Sequence, residues 1–286
     1  MTKRPRHVVV VGGGTAGCVL AARLSESIRF DVTLLEVGAD DSTYDEVLLD
    51  PRRTPDAWTG HAPAAFSVMQ GEPADVAVFQ GRVLGGTSAA NGMATLRGLP
   101  VDYDGWAAGG LDGWGWDDVA DTFIAAERDV DFGSSSLHGD SGPLPVRRWR
   151  PPEHSRAHTA YLDGMRELGE RPVADINDAS QLPGVGVFPA TIDDNARRVS
   201  TSLAYLTPTV RARENLTIRT GAEVAAISID AQRATGVTLR SGERIDADEV
   251  VVSCGTLWTP HLLTRTGIGP ADHLAEHGVA AGLASH

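Results

Sequence analysis

The stretch VVVVGGGTAGCVLAARL, residues 8–24, decides the fold: four β-branched residues stand directly before three glycines, and an alanine-rich run with leucines spaced for one helical face follows. A strand that turns into a helix needs only one or two residues without Cβ. Here Gly12, Gly14 and Gly17 fall in the register G-x-G-x-x-G. In that register the first glycine permits the turn, the second lets backbone approach a pyrophosphate, and the third lets helix and strand pack closely. The helix behind them points free N–H groups and its positive dipole end at the same place, which suits an anion. A second strand, FDVTLLE (30–36), ends in Glu36, nineteen residues after Gly17 and near the spacing of a ribose-binding carboxylate. Strand, glycines, helix, strand and acid complete a βαβ half and predict an α/β, Rossmann-like dinucleotide-binding fold. NAD and FAD are equivalent at this level, since both present an ADP half.

Composition narrows the class. The chain has 286 residues, 42% hydrophobic and 22% charged, enough for one large domain or two smaller ones. A formal net charge of −13 repels nucleic-acid backbones and anionic membrane surfaces, so neither is an expected partner. The opening MTKRPRHVVVVGGG has too short an apolar run for a secretory signal, and no stretch reaches the roughly 20 apolar residues of a membrane span, so a cytoplasmic location is expected. Cys18 and Cys254 read as small buried hydrophobes and not as a disulfide or a reactive thiol.

Further along, residues 38–80 are rich in Asp, Pro and Gly with little periodicity, which predicts a long excursion over the surface. GRVLGGTSAANGMATLRG (81–98) is dense in small residues but interleaves Val83, Leu84, Met93 and Leu96, so it reads as an ordered loop that meets a ligand rather than a flexible linker. WGWDDVADTFIAAERD (114–129) places Val119, Phe123 and Ala126 on one face of a helix; another helix runs from about 155 to 168, and a short strand lies in the loop between them, all three as scaffold. LTIRT, AEVAAISID, ATGVTLR and DEVVVSC, within 216–254, read as strands, the middle two as a hairpin. After VVVSCGTLWTPHLL the pattern changes from strand to helix through a glycine, as if a second phosphate- or flavin-facing turn returned to the same sheet.

Taken in order, VVVVGGGTAGCVLAARLSE with LLEVG, GRVLGGTSAANGM with RG and DYDGW, LTIRTGAEVAAI, and GTLWTPHLLTRTGIGP resemble the glucose-methanol-choline oxidoreductases, FAD-dependent enzymes that oxidise alcohols. The resemblance implies that Gly12, Gly14, Thr15, Ala16 and Gly17 cradle the FAD diphosphate, Glu36 binds the adenosine ribose, and backbone at Val224 sits by the adenine. It places Arg82, Gly85, Gly86, Thr87, Asn91 and Gly92 on the loop beside the flavin. It implies an FAD domain over 1–105 and 203–286, with 106–202 partly a substrate-side scaffold. Hydride passes from the alcohol carbon to flavin in such enzymes, helped by a histidine base near the C-terminus. The sequence stops at GIGPADHLAEHGVAAGLASH, before that region, so no catalytic residue is assigned here. The expectation is an FAD-binding portion: a fragment, a chain completed by another, or a module without catalysis. Its alcohol substrate and electron acceptor stay open.

Two departures are Thr266, where serine is usual, and Ala90, where many relatives carry a larger aliphatic residue and covalently flavinylated ones carry histidine before the loop asparagine. Ala90 implies FAD held without a covalent bond. GWDDVADTFIAAERDVDFG with LHGDSGPLPVRR is similar to the mycofactocin-associated branch of the family, which implies a redox carrier instead of oxygen as acceptor. His273, Glu276 and His277 form H-x-x-E-H, a zinc spacing, but only nine residues follow His277 to supply a third protein ligand. His154 and His158 share helical spacing with no carboxylate between them. No metal is expected at either.

Overall fold

Val8–Val11 form most of β1 (Arg6–Val11), and each is at most 3% exposed, as a strand covered on both faces requires. This computed structural model describes residues 4–61, 64–68, 75–281 and 283–284. From β1 the chain turns at Gly12 into α1 (Thr15–Leu24), whose buried residues Gly17, Cys18, Ala21 and Ala22 are all small. It returns as β2 (Phe30–Leu35), parallel to β1 with Val11 opposite Leu35. The predicted βαβ half is therefore present.

Residues 38–80 are more than a surface excursion. They contain α2 (Glu46–Leu49), α3 (Thr54–His61) and the antiparallel pair β3 (Ala64–Val68) and β4 (Asp75–Phe79), while 62–63 and 69–74 lie outside the described residues. Leu48 and Ala57 are fully buried and pack with Ala90. Order comes from aspartates: Asp45 caps α2 through the N–H groups of Val47 and Leu48, and Asp40 and Asp50 cap short 3₁₀ turns. Such turns are too short to show a period in sequence.

The chain continues through α4 (Pro100–Ala108), α5 (Trp116–Ala126), β5 (Glu127–Asp129), β6 (Leu144–Arg148), α6 (Arg156–Glu167) and β7 (Pro189–Ala190). Val119, Phe123 and Ala126 of α5 are only half-buried. Next come α7 (Thr201–Tyr205), α8 (Pro208–Arg211), β8 (Leu216–Arg219), β9 (Val224–Asp230), β10 (Arg233–Leu239), β11 (Arg244–Asp246), β12 (Glu249–Val252), α9 (Gly255–Arg265) and α10 (Ala271–Glu276). The predicted hairpin is β9–β10, turning through Ala231 and Gln232 at φ 44° and 66°.

β8 and β12 extend the first βαβ half on its two sides, giving an all-parallel sheet in the order β12-β1-β2-β8. Val9, Val11, Leu35, Val237, Leu239 and Leu262 form a core beside the β9–β11 sheet. The chain divides into two compact units, one of Met1–Asn91 with Ser200–His286 and one of Gly92–Val199. Among the described residues no helix is long and apolar enough to cross a membrane.

Candidate dinucleotide site

The three fingerprint glycines differ in why they lack a side chain. Gly12 has φ +98°, and a Cβ there would stand 2.7 Å from the Ser253 carbonyl oxygen. At Gly17 a Cβ would lie 1.9 Å from the Gly12 carbonyl oxygen, so α1 could not approach β1. Gly14 is another matter: its φ is −78°, and the nearest atom to a Cβ would be Gly86 Cα at 3.9 Å. Packing within the chain does not demand glycine at 14, whereas a diphosphate laid against this backbone does. No side chain caps α1, and its first turn carries no acid, so its N–H groups suit an anion. Thr15 and Ala16 are exposed there.

Glu36 follows β2 and is 5% exposed. Its Oε2 accepts from the Gly13 N–H and its Oε1 from the Gly38 N–H, both at 2.8 Å. Burial pushes this carboxyl up, while those two N–H groups and Arg82 oppose the rise. Each oxygen keeps lone-pair capacity for a ribose hydroxyl. The Ala222 N–H donates to the Glu36 carbonyl at 2.8 Å, which brings the start of β9 and half-buried Val224 to the end of β2.

The small-residue loop docks on the fingerprint turn. Gly85, at φ +95°, donates its N–H to the Gly13 carbonyl at 2.7 Å, and a Cβ on Gly86 would stand 2.6 Å from Gly14 Cα. Val83, Leu84, Gly85 and Gly86 are buried, whereas Arg82 and Thr87 are exposed and Asn91 half-buried. Gly92 begins the second unit, and a Cβ there would meet nothing within 4 Å. Of the apolar residues that predicted an ordered loop, Leu96 is 57% exposed and anchors nothing. Ala90 is buried, and its carbonyl accepts from Trp58 Nε1 at 2.6 Å.

Several residues that hold this site were not singled out in the sequence. Ser253 Oγ donates to the Gly12 carbonyl at 2.8 Å or to that of Val11 at 3.0 Å, joining β12 to the fingerprint turn. Ser88 Oγ accepts from the Thr201 N–H at 3.0 Å and lies 2.6 Å from the Gly85 carbonyl. Beneath Gly85, the Tyr44 hydroxyl bonds the Leu84 carbonyl and meets Ser200 and Ser202, each at 3.3 Å. The one available signal was VVVSCG, a second strand-to-glycine turn; lone hydroxyls far apart in sequence carry none.

The two cysteines sit against the fingerprint turn, Cys18 Sγ 3.1 Å from the Gly13 carbonyl and Cys254 Sγ 3.4 Å from that of Val11. Cys18 is buried with its thiol pushed up to about 12 by burial, and half-buried Cys254 to about 11 for the same reason, so neither is a poised nucleophile. His273, Glu276 and His277 are exposed and do bring ligand atoms within 4.8 Å of one another. The His154 and His158 rings stack at 4.1 Å, and Nε2 of His154 bonds the Trp149 carbonyl at 3.0 Å.

A parallel sheet with a glycine-lined, uncapped helix start, a buried acid at the end of the second strand and a second glycine loop folded onto the first defines a dinucleotide-binding class. The family model described as GMC oxidoreductase matches residues 7–286, and the chain belongs to that family, whose N-terminal region binds FAD. It is 38% identical, over 97% of its length, to an uncharacterised GMC-type oxidoreductase of Rhodococcus erythropolis, of which it covers 56%. It is 36% identical to a 5-(hydroxymethyl)furfural oxidase of Methylovorus sp., over 98% of this chain and 55% of that one. Among solved structures, pyridoxine 4-oxidase from Mesorbium loti matches with a TM-score of 0.90 and 32% identity, over 98% of this chain and 55% of that chain. The chain spans about half the length of the curated relatives it matches.

Proposed function

We propose that this chain is the FAD-binding portion of an oxidoreductase acting on the CH–OH group of a small alcohol. The observation that carries the reading is Gly14, glycine without a reason inside the chain, at an uncapped helix start onto which the Gly85–Gly86 loop folds. Gly12, Gly14, Thr15, Ala16 and Gly17 hold the diphosphate, Glu36 takes the ribose, and Val224 flanks the adenine. Arg82, Gly85, Gly86, Thr87, Asn91 and Gly92 line the flavin side. Residues 1–105 and 203–286 supply the FAD domain, and 106–202 part of the substrate-side scaffold. Bound FAD supplies the hydride acceptor. Ala90 supports non-covalent attachment, and no metal takes part. Relatives named for 5-(hydroxymethyl)furfural, choline and pyridoxine support a small alcohol as substrate.

A positioned base contributes about 10²–10⁴-fold to removal of an alcohol proton. By resemblance none of His138, His154, His158, His261, His273, His277 or His286 fills that role. The FAD-reconstituted chain, mixed anaerobically with a panel of primary alcohols, is therefore expected to keep its flavin absorbance. Reduction within seconds would place the base inside these residues and overturn the reading of an FAD-binding portion. Acid precipitation is expected to release the flavin into the supernatant; colour kept in the pellet would overturn non-covalent binding. With a competent longer protein, reoxidation by air separates oxygen from a dedicated redox carrier as acceptor.

A further inference from the structure

The second unit buries six charged side chains in one cluster, and the bonding of the histidine at its centre fixes a proton. His138, Glu127, Asp129, Asp175, Arg97 and Arg148 have side chains at most 7% exposed. Nδ1 of His138 lies 2.7 Å from Glu127 Oε1 and 3.1 Å from Asp129 Oδ2, and Nε2 lies 2.7 Å from Asp175 Oδ2. Ionised carboxylates only accept hydrogen bonds, so both ring nitrogens must donate, and only the imidazolium carries both protons. A neutral ring would set a nitrogen lone pair against a buried carboxylate. Rotating the ring does not relieve this, because acceptors stand at both ends.

Charge closure gives the same answer independently. Arg97 pairs with Glu127 at 2.6 Å, and Arg148 pairs with Asp129 and, at 2.7 Å, with Asp175. Three carboxylates against two guanidiniums leave one negative charge in a dry site, and a protonated His138 cancels it. An unpaired buried charge is strongly unfavourable.

We propose that His138 is a permanently protonated imidazolium, the third cation of a neutral buried hub, so that folding of this unit takes up one proton at neutral pH. Burial alone lowers the affinity of the ring for that proton, but the bonds to Asp129, Asp175 and Glu127 override it and raise the group from 6.5 to about 11. Among the described residues, the other charges around the hub are Asp131, which pairs with Arg150 at 2.7 Å, and Asp178. The ring also tilts over Phe132 at 5.9 Å. Glu127, Asp129 and His138 have metal-ligand spacing, but a divalent ion there would displace the ring proton and leave one uncompensated positive charge beside two buried arginines.

The sign follows from linkage. A group held above its unfolded value contributes stability that is full below about pH 6.5 and is lost as pH rises towards 11. From pH 7 to 8 the unfolding constant of the full chain should rise about tenfold, and it should stay flat in His138→Gln. The decisive measurement is long-range proton–nitrogen NMR on the full chain labelled with ¹⁵N-histidine, at pH 8.5. One of its nine histidines should show two protonated ring nitrogens. That signal should vanish in His138→Gln and titrate at least about one pH unit lower in Asp175→Asn. The second variant keeps the ring, so it carries the test if the first does not fold. No imidazolium at pH 8.5, survival of the signal in His138→Gln, an unmoved midpoint in Asp175→Asn, or stoichiometric loss on adding zinc chloride would each overturn the proposal.

Discussion

Gly14 and Gly17 are three residues apart and respond to substitution in different ways. A Cβ at Gly17 overlaps the Gly12 carbonyl at 1.9 Å, so Gly17→Ala must push α1 off β1. Its expected cost is on the order of 3 kcal/mol, read as a fall in denaturant midpoint with unchanged slope. At Gly14 the backbone is extended and its surroundings are open. Gly14→Val should therefore unfold within about 1 kcal/mol of the parent yet no longer quench FAD fluorescence. Equal stability losses in the two variants would remove the case for a ligand at Gly14. The buried thiols give a second test. Native protein should resist iodoacetamide at pH 8, whereas the unfolded chain should take up two equivalents, one each at Cys18 and Cys254. Their linkage follows from their raised values: their stabilising contribution is complete below about pH 9 and is lost as pH rises to about 11 and 12.

The β9–β10 hairpin shows how far an element can be read before its details are known. AEVAAISID and ATGVTLR, two strand-like runs broken around Arg233, predict the pair, but the turn joins Asp230 to Arg233 through Ala231 and Gln232, both left-handed. Neither residue favours that conformation, so the hairpin forms through its strands and despite its turn. Replacing Ala231–Gln232 by Asn–Gly should stabilise the protein by about 1 kcal/mol, seen as a rise in denaturant midpoint. Periodicity also revealed β1, α1, β2, α5 and α6 to within a few residues. It could not show that β8 pairs with β2 and β12 with β1, because pairing between distant strands leaves no local pattern. The same limit hid Ser253, the Tyr44 hydroxyl cluster and the His138 hub. The hub gathers residues from 97 to 175, too far apart for any local pattern to join them.

Over the whole molecule, the two units differ in how the chain supplies them. Residues 92–199 are one uninterrupted segment, while the other unit draws on both sides of it. Its parallel sheet takes β1 and β2 from residues 6–35 and β8 and β12 from residues 216–252. Sequence separation of this size slows folding, because loop-closure entropy is lost before the contacts form.

That split imposes an order on synthesis. When the ribosome has made residue 200, the inserted unit has all its residues, but the dinucleotide sheet has β1 and β2 without their outer neighbours. Domains are generally completed as they emerge. Here the unit containing the amino terminus must wait for the later one, and the valines of β1 stay without one flank until β12 leaves the exit tunnel. On nascent chains released from the tunnel to residue 200, brief protease treatment should spare 92–199 and cut within 1–91. At residue 260 the protection should extend to both. The glycine turn is translated 241 residues before its Ser253 support, so FAD capture by the growing chain is expected only once β12 has emerged, and abruptly.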